Sequence, residues 1–94
     1  MGKELNDKRV KKRLVNWLEG RGFGNNFHWF NLIWSVEDEI HEIIVESCIG
    51  DYYIGYYINR ELKDGKYRVY SYEELRKTVK ELEILYLPNE KTIT

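Results

Sequence analysis

Between residues 27 and 59, apolar side chains recur at every second position in three successive runs separated by short polar breaks. A repeat of two is that of a pleated strand; a helix would need apolar residues three and four apart. In 27–36, Phe30, Leu32, Trp34 and Val36 share one face, while Phe27, Trp29 and Ile33 share the other with Asn31 and Ser35. A strand apolar on both faces is expected to be central or covered. In 40–49, Ile43, Val45 and Ile49 point one way, and Ile40, Glu42, Ile44, Glu46 and Cys48 the other. In 52–59, Tyr52, Ile54, Tyr56 and Ile58 lie opposite Tyr53, Gly55 and Tyr57, with Gly55 expected at a bulge or close approach. Glu37–Glu39 and Gly50-Asp51 are the expected turns, and Asp64-Gly65 is expected to lead into a fourth short strand at about 66–70.

Helical patterns flank the strands. Val10, Leu14, Trp17 and Leu18 form one stripe over 7–19, with Asn6 or Asp7 to cap its start and Gly20 or Gly22 to end it. Lys8, Arg9, Lys12 and Arg13 fall on the opposite arc. Ser71 and Glu74 have capping-box spacing, and Leu75, Val79, Leu82 and Tyr86 form the stripe that follows. Ile84 lies off that stripe, so the helix is expected to stop near Glu83, with 84–87 extended before Pro88. The order predicts an α+β fold: a small two-layer single domain over 1–94, helix, three- or four-stranded antiparallel meander, helix, with a frayed tail at about 89–94.

The net charge of −1 conceals an uneven distribution. Residues 1–22 carry +4 and residues 60–94 carry +1, whereas residues 23–59 contain no Lys or Arg and carry −6. Fourteen aromatic residues, eight of them Tyr, are more than so short a core needs, and Tyr and Trp suit surfaces that are partly apolar and partly wet. Cys48 is the lone cysteine, so no internal disulfide staples the chain, and a reducing, cytoplasmic setting is expected. No leader-like segment is visible, and no apolar run approaches the ~18 residues of a membrane span, so no membrane association is expected. The absence of Ala and Gln fits an AT-rich genome, a thermophile or one of its viruses.

No set of residues carries recognisable catalytic chemistry. Gly20-Arg-Gly-Phe-Gly has the composition of a phosphate loop, but a helix precedes it and a strand follows, the reverse of the order that aims helix N–H groups at an anion. His41 stands among Glu37, Asp38, Glu39 and Glu42, yet consecutive carboxylates on a turn point apart, which makes a solvated acidic hairpin rather than a metal site. Cys48 and His41 face opposite sides of one strand, so they form no nucleophile–base pair, and the thiol is expected to be buried and structural. No catalytic residue, cofactor or metal is expected, and the chain reads as a non-enzyme.

Two family resemblances follow from the element order. The opening helix, the Gly-Phe-Gly turn and the strands resemble the front of the restriction-endonuclease-like fold, which implies an Asp and a Glu-x-Lys set for Mg²⁺. The nearest match, Glu46-Ser47-Cys48, lacks the Lys. The α-β-β-β-α order also resembles double-stranded RNA-binding domains, with Arg76-Lys77-Thr78-Val79-Lys80 similar to their basic helix patch. There the first hairpin meets RNA, and here it is Glu37-Asp38-Glu39, which phosphates repel.

Three functions remain. The first is a protein-binding module of inhibitor, adaptor or immunity type, such as viruses and mobile elements carry. Glu37, Asp38, Glu39, Glu42 and Asp51 would steer it to a basic partner surface, and Tyr53 and Tyr57, on a sheet also bearing Tyr52 and Tyr56, would supply contact area. The second is nucleic-acid binding through Lys8, Arg9, Lys12 and Arg13. The third is a self-associating subunit, a homodimer formed by pairing of the oppositely charged stretches or through a Tyr-rich edge strand.

Overall fold

The computed structural model describes residues 3–88; the tail expected at 89–94 lies outside them. The elements are α1 (Lys3–Asn6), α2 (Lys8–Gly20), β1 (Gly24–Asn25), β2 (Trp29–Val36), β3 (Glu39–Cys48), β4 (Asp51–Ile58), β5 (Glu61–Val69) and α3 (Tyr72–Tyr86). The strands form one antiparallel sheet in the order β1-β2-β3-β4-β5, a meander of five strands rather than three or four. The added strand is β1, a two-residue piece of the glycine loop whose Gly24 and Asn25 face Asn31 and Phe30. Phe27, expected to begin the next strand, instead takes a positive φ of 74° and is exposed.

Each helix end has a local cause. The Asp7 carboxylate accepts the N–H groups of Arg9 and Val10 at 2.8 and 3.3 Å, a cap for two donors that the first turn cannot satisfy. At the other end Gly22 adopts φ +96°, its N–H donates to the Glu19 carbonyl, and the Phe23 N–H donates to the Leu18 carbonyl. This is a Schellman ending, and it folds Phe23 into the core beside Leu18. Ser71 Oγ accepts the Glu74 N–H at 3.1 Å, and the Glu74 side chain reaches back to the Tyr70 N–H at 2.9 Å.

α3 runs on to Tyr86 instead of stopping near Glu83. Two anchors hold its last turn. Glu83 is buried against the Arg21 guanidinium, and the Tyr86 ring stacks on Tyr56 with centroids 3.8 Å apart. Ile84 does fall off the stripe, and it is simply left 81% exposed.

The turns correct the expected strand ends. Glu37-Asp38 reverses the chain with φ of 48° and 71°, and Asn59-Arg60 does so with 50° and 70°, the left-handed pair that matches strand twist in a two-residue hairpin. β5 therefore starts at Glu61, and Asp64-Gly65 lies inside it at an irregularity where the register with β4 shifts twice. There Gly65 faces Gly55, and a Cβ on Gly65 would sit 2.6 Å from the Ile54 carbonyl oxygen. Only paired glycines allow the two backbones so close. Asp51, expected in a turn, is the first residue of β4, and Ile49-Gly50 makes the reversal.

The helices pack against one face of the sheet. Leu5, Leu14, Leu18, Leu75, Val79 and Leu82 meet Phe30, Ile43, Val45, Tyr52, Ile54, Tyr56 and Val69 in one buried cluster. No described helix is long and apolar enough to cross a membrane.

Candidate protein-binding face

The opposite face of the sheet carries no helix. Strand alternation and register decide what stands on it. Trp29, Glu46, Tyr53 and Arg68 face one another in a row across the strands, and Ile33, Glu42, Tyr57 and Leu62 form another. Between these rows Asn31 and Ile44 lie opposite Gly55, which presents no side chain. Ile40 closes the far end, where its N–H donates to Asn59 Oδ1 at 2.9 Å.

The result is an open concavity of about 890 Å³, floored by Ile44 and Glu42 and walled by Trp29, Ile33, Ile40, Tyr57 and Arg60. Trp29, Ile33 and Ile40 remain 44, 53 and 46% exposed, so this apolar surface is not buried by the fold itself. Polar groups hold its floor in place. Asn26 donates to Asn31 Oδ1 at 2.7 Å, and Asn31 donates in turn to Glu42 Oε2 at 2.8 Å. Glu46 stands at one side, 3.9 Å from Lys66.

The residues singled out for partner binding separate into five settings. Glu42 and Tyr57 line the concavity. Tyr53 is on the same face but under a cationic lid, with the Lys66 ammonium 5.8 Å and the Arg68 guanidinium 5.7 Å from its ring centre. Glu37 and Asp38 are exposed at the hairpin tip, just beyond Ile40, whereas Glu39 belongs to the helix side and lies 3.4 Å from His41 Nε2. Asp51 is 2% exposed and bound to Arg68 Nε at 2.6 Å, so it is withdrawn from any steering surface.

Trp29, Asn31, Ile33, Ile40, Ile44 and Glu46 were not among those candidates. Trp29, Asn31 and Ile33 belong to the second face of 27–36, whose apolar pattern predicts cover, and Ile40, Ile44 and Glu46 to the second face of 40–49; together they make one side of the sheet. It is bare because both long helices use the other side.

Elsewhere, Cys48 is exposed rather than buried, at the end of β3. His41 is buried on the helix side with Nδ1 2.6 Å from the Tyr56 hydroxyl, in an aromatic cluster that runs from Trp34 through His41 and Tyr56 to Tyr86. Among the described residues no three His, Cys, Asp or Glu side chains converge as they would around a metal ion. Lys8, Arg9 and Lys12 are exposed on α2, and Arg13 lies with its guanidinium 5.4 Å from the Tyr72 ring centre. The chain matches no family model, no curated protein and no solved structure.

Proposed function

We propose that this chain is a small protein-binding domain, of the inhibitor, adaptor or immunity type, whose interface is the bare concave face of the sheet. The observation that carries this reading is an apolar floor and wall, Ile44, Ile33, Ile40 and Trp29, left uncovered by the chain's own helices. An exposed Trp29 and a half-buried Tyr57 supply the aromatic surface in which interface centres are rich, beside a hydrogen-bonded carboxylate that gives direction. The partner is a protein that offers projecting aliphatic or aromatic side chains together with a Lys or Arg placed to reach Glu42. Every charge between residues 23 and 59 is acidic, and the exposed Glu37 and Asp38 would draw a basic surface toward the same end of the sheet.

The test is affinity capture from the source cells, identification of the captured protein, and reconstitution of the purified pair by titration calorimetry. Ile44→Asp is expected to weaken that pair at least about tenfold, and Glu42→Lys to weaken it and reverse its salt dependence. Native affinity in both variants would sink the reading.

A second reading has one observation in its favour: none of Lys8, Arg9, Lys12 and Arg13 is ion-paired among the described residues. On this reading α2 meets nucleic-acid phosphates. It predicts binding to labelled DNA or RNA at low salt that disappears when Lys8, Arg9 and Lys12 are changed to Glu. No shift at low salt would end it.

A further inference from the structure

For most of its length β2 is an edge. β1 pairs only with Phe30 and Asn31, so among the described residues no strand lies beside β2 from Leu32 to Val36. Register decides which backbone groups this leaves open. The Ser47 N–H donates to the His28 carbonyl at 2.9 Å, which makes that a hydrogen-bonded pair, and such pairs alternate along an antiparallel ladder. The even-numbered residues of β2 therefore turn their N–H and C=O groups toward β3, and the odd-numbered ones turn theirs outward. Trp29 agrees, since its carbonyl accepts the Asn26 N–H at 2.8 Å on the outer side. The outward groups of Asn31 face Gly24. Those of Ile33 and Ser35 have no partner among the described residues, and both residues are exposed.

The two edges of the sheet contrast. β5 carries Lys63, Lys66 and Arg68 and is broken by its register shifts, and charge and irregularity are what discourage strand addition. Leu32-Ile33-Trp34-Ser35-Val36 has no charge, no Pro, no Gly and an unbroken ladder behind it.

We propose that this stretch pairs antiparallel with the same stretch of a second copy, about a two-fold axis at Trp34. The Tyr-rich β4 cannot do this, because β3 and β5 already flank it. Self-complementarity selects a second copy as the occupant. With the axis at Trp34, Ile33 faces the partner's Ser35 and Ser35 faces the partner's Ile33. In this register both outward residues of each copy exchange N–H and C=O bonds, so all four open groups of each edge are satisfied. Leu32 then faces the partner's Val36, and Trp34 faces its own counterpart, so no like charges meet. Five residues also fill the interval between the end of β1 pairing at Asn31 and the turn at Glu37. The product is a continuous ten-stranded sheet with both bare faces on one side, since opposed residues of an antiparallel pair share a side.

Light scattering on the full chain, with amide hydrogen exchange at high and low concentration, tests this. The expected mass is twice that of the monomer. At high concentration the Ile33 and Ser35 amides should exchange at least about tenfold more slowly than on dilution, while those of Leu32 and Trp34, already bonded to β3, should change far less. Ser35→Pro deletes an outward N–H without touching the β3 ladder and should give a folded monomer. If that variant does not fold, Ser35→Lys serves in its place. A monomer at several hundred micromolar would overturn the proposal. So would a dimer whose Ile33 and Ser35 amides stay unprotected, or a folded Ser35 variant that still dimerises. Ile44→Asp, which tests the concave face, should leave the mass unchanged, so the two readings fail independently.

Discussion

The two faces of this sheet are made from the same strands and differ in what covers them. On β3, Ile43 is fully buried beneath the helices, while its neighbour Ile44 floors the open concavity. One side is filled and closed by α2 and α3; the other keeps comparable apolar chemistry in contact with solvent. Burial, not residue type, separates a stabilising position from one free to bind.

The sharpest way to break this comparison is truncation at adjacent positions. Ile43→Ala should cost about 2–5 kcal/mol in urea denaturation, since it opens a cavity in a packed core. Ile44→Ala should cost about 1 kcal/mol or less, because solvent already reaches its surroundings. Equal losses would mean that the bare face is part of the stabilising core.

Gly65→Ala tests the close approach of β4 and β5 at the register shift. The residue has φ +109°, and an added Cβ would collide with the backbone of β4. A loss of about 1–3 kcal/mol is expected in the same assay, with weaker partner binding at the concave face.

A smaller effect sharpens the closed side. Within β5 the Tyr67 hydroxyl donates to Asp64 at 2.5 Å, and the Tyr86 hydroxyl donates to the same carboxylate at 2.6 Å, a bond that pins the last turn of α3 to β5. That hydrogen bond raises Tyr86 from its ordinary 10.0 to about 12. The protonated phenol is the form the fold prefers, so this contribution is complete below about pH 10 and is lost as pH rises through about 12. The same pair of bonds holds Asp64 below its ordinary value of 3.8, so its share is complete above that value and is lost as pH falls through the folded one. Burial and the Asp64 bond also raise Tyr52, Tyr56 and Tyr67, so tyrosinate absorbance should show a late-titrating group of tyrosines that loses one member in Tyr86→Phe; an unchanged late phase would remove the bond from the account.

Much of the fold was legible in the sequence because alternation is a strict code. The facing sets Ile43 and Val45 against Glu42, Ile44 and Glu46, and Ile54 and Tyr56 against Tyr53 and Tyr57, are those of the structure. What alternation cannot say is which set the helices will cover: β2, apolar on both faces, has the pattern of a covered strand, yet its odd-numbered face is bare. Turn chemistry misled in a different way. Asp64-Gly65 has the dipeptide of a hairpin turn but serves a bulge, while the true reversal uses Asn59-Arg60, where only the Asn suggests a left-handed residue. Asp51 and Glu83 were legible as acids but not as buried ones, because the partners that hold them, Arg68 and Arg21, lie 17 and 62 residues away.

The meander has a consequence for how the chain assembles. Each strand pairs with the next along the chain, so each hairpin closes a short loop at little entropic cost. The bonds that span the chain are few and sit at the helices: the Tyr72 N–H to Glu4, 68 residues apart, and Arg21 to Glu83. On a ribosome the hairpins are free to close before α3 has emerged; α2, made first, can already lie on the helix side, and the part of that side beneath α3 waits uncovered. A chain truncated before Tyr72 should keep its strand signal but bind a hydrophobic dye that the full chain excludes from its helix side. During synthesis, then, this part of the helix side is as bare as the concave face, and α3 decides which of the two stays so.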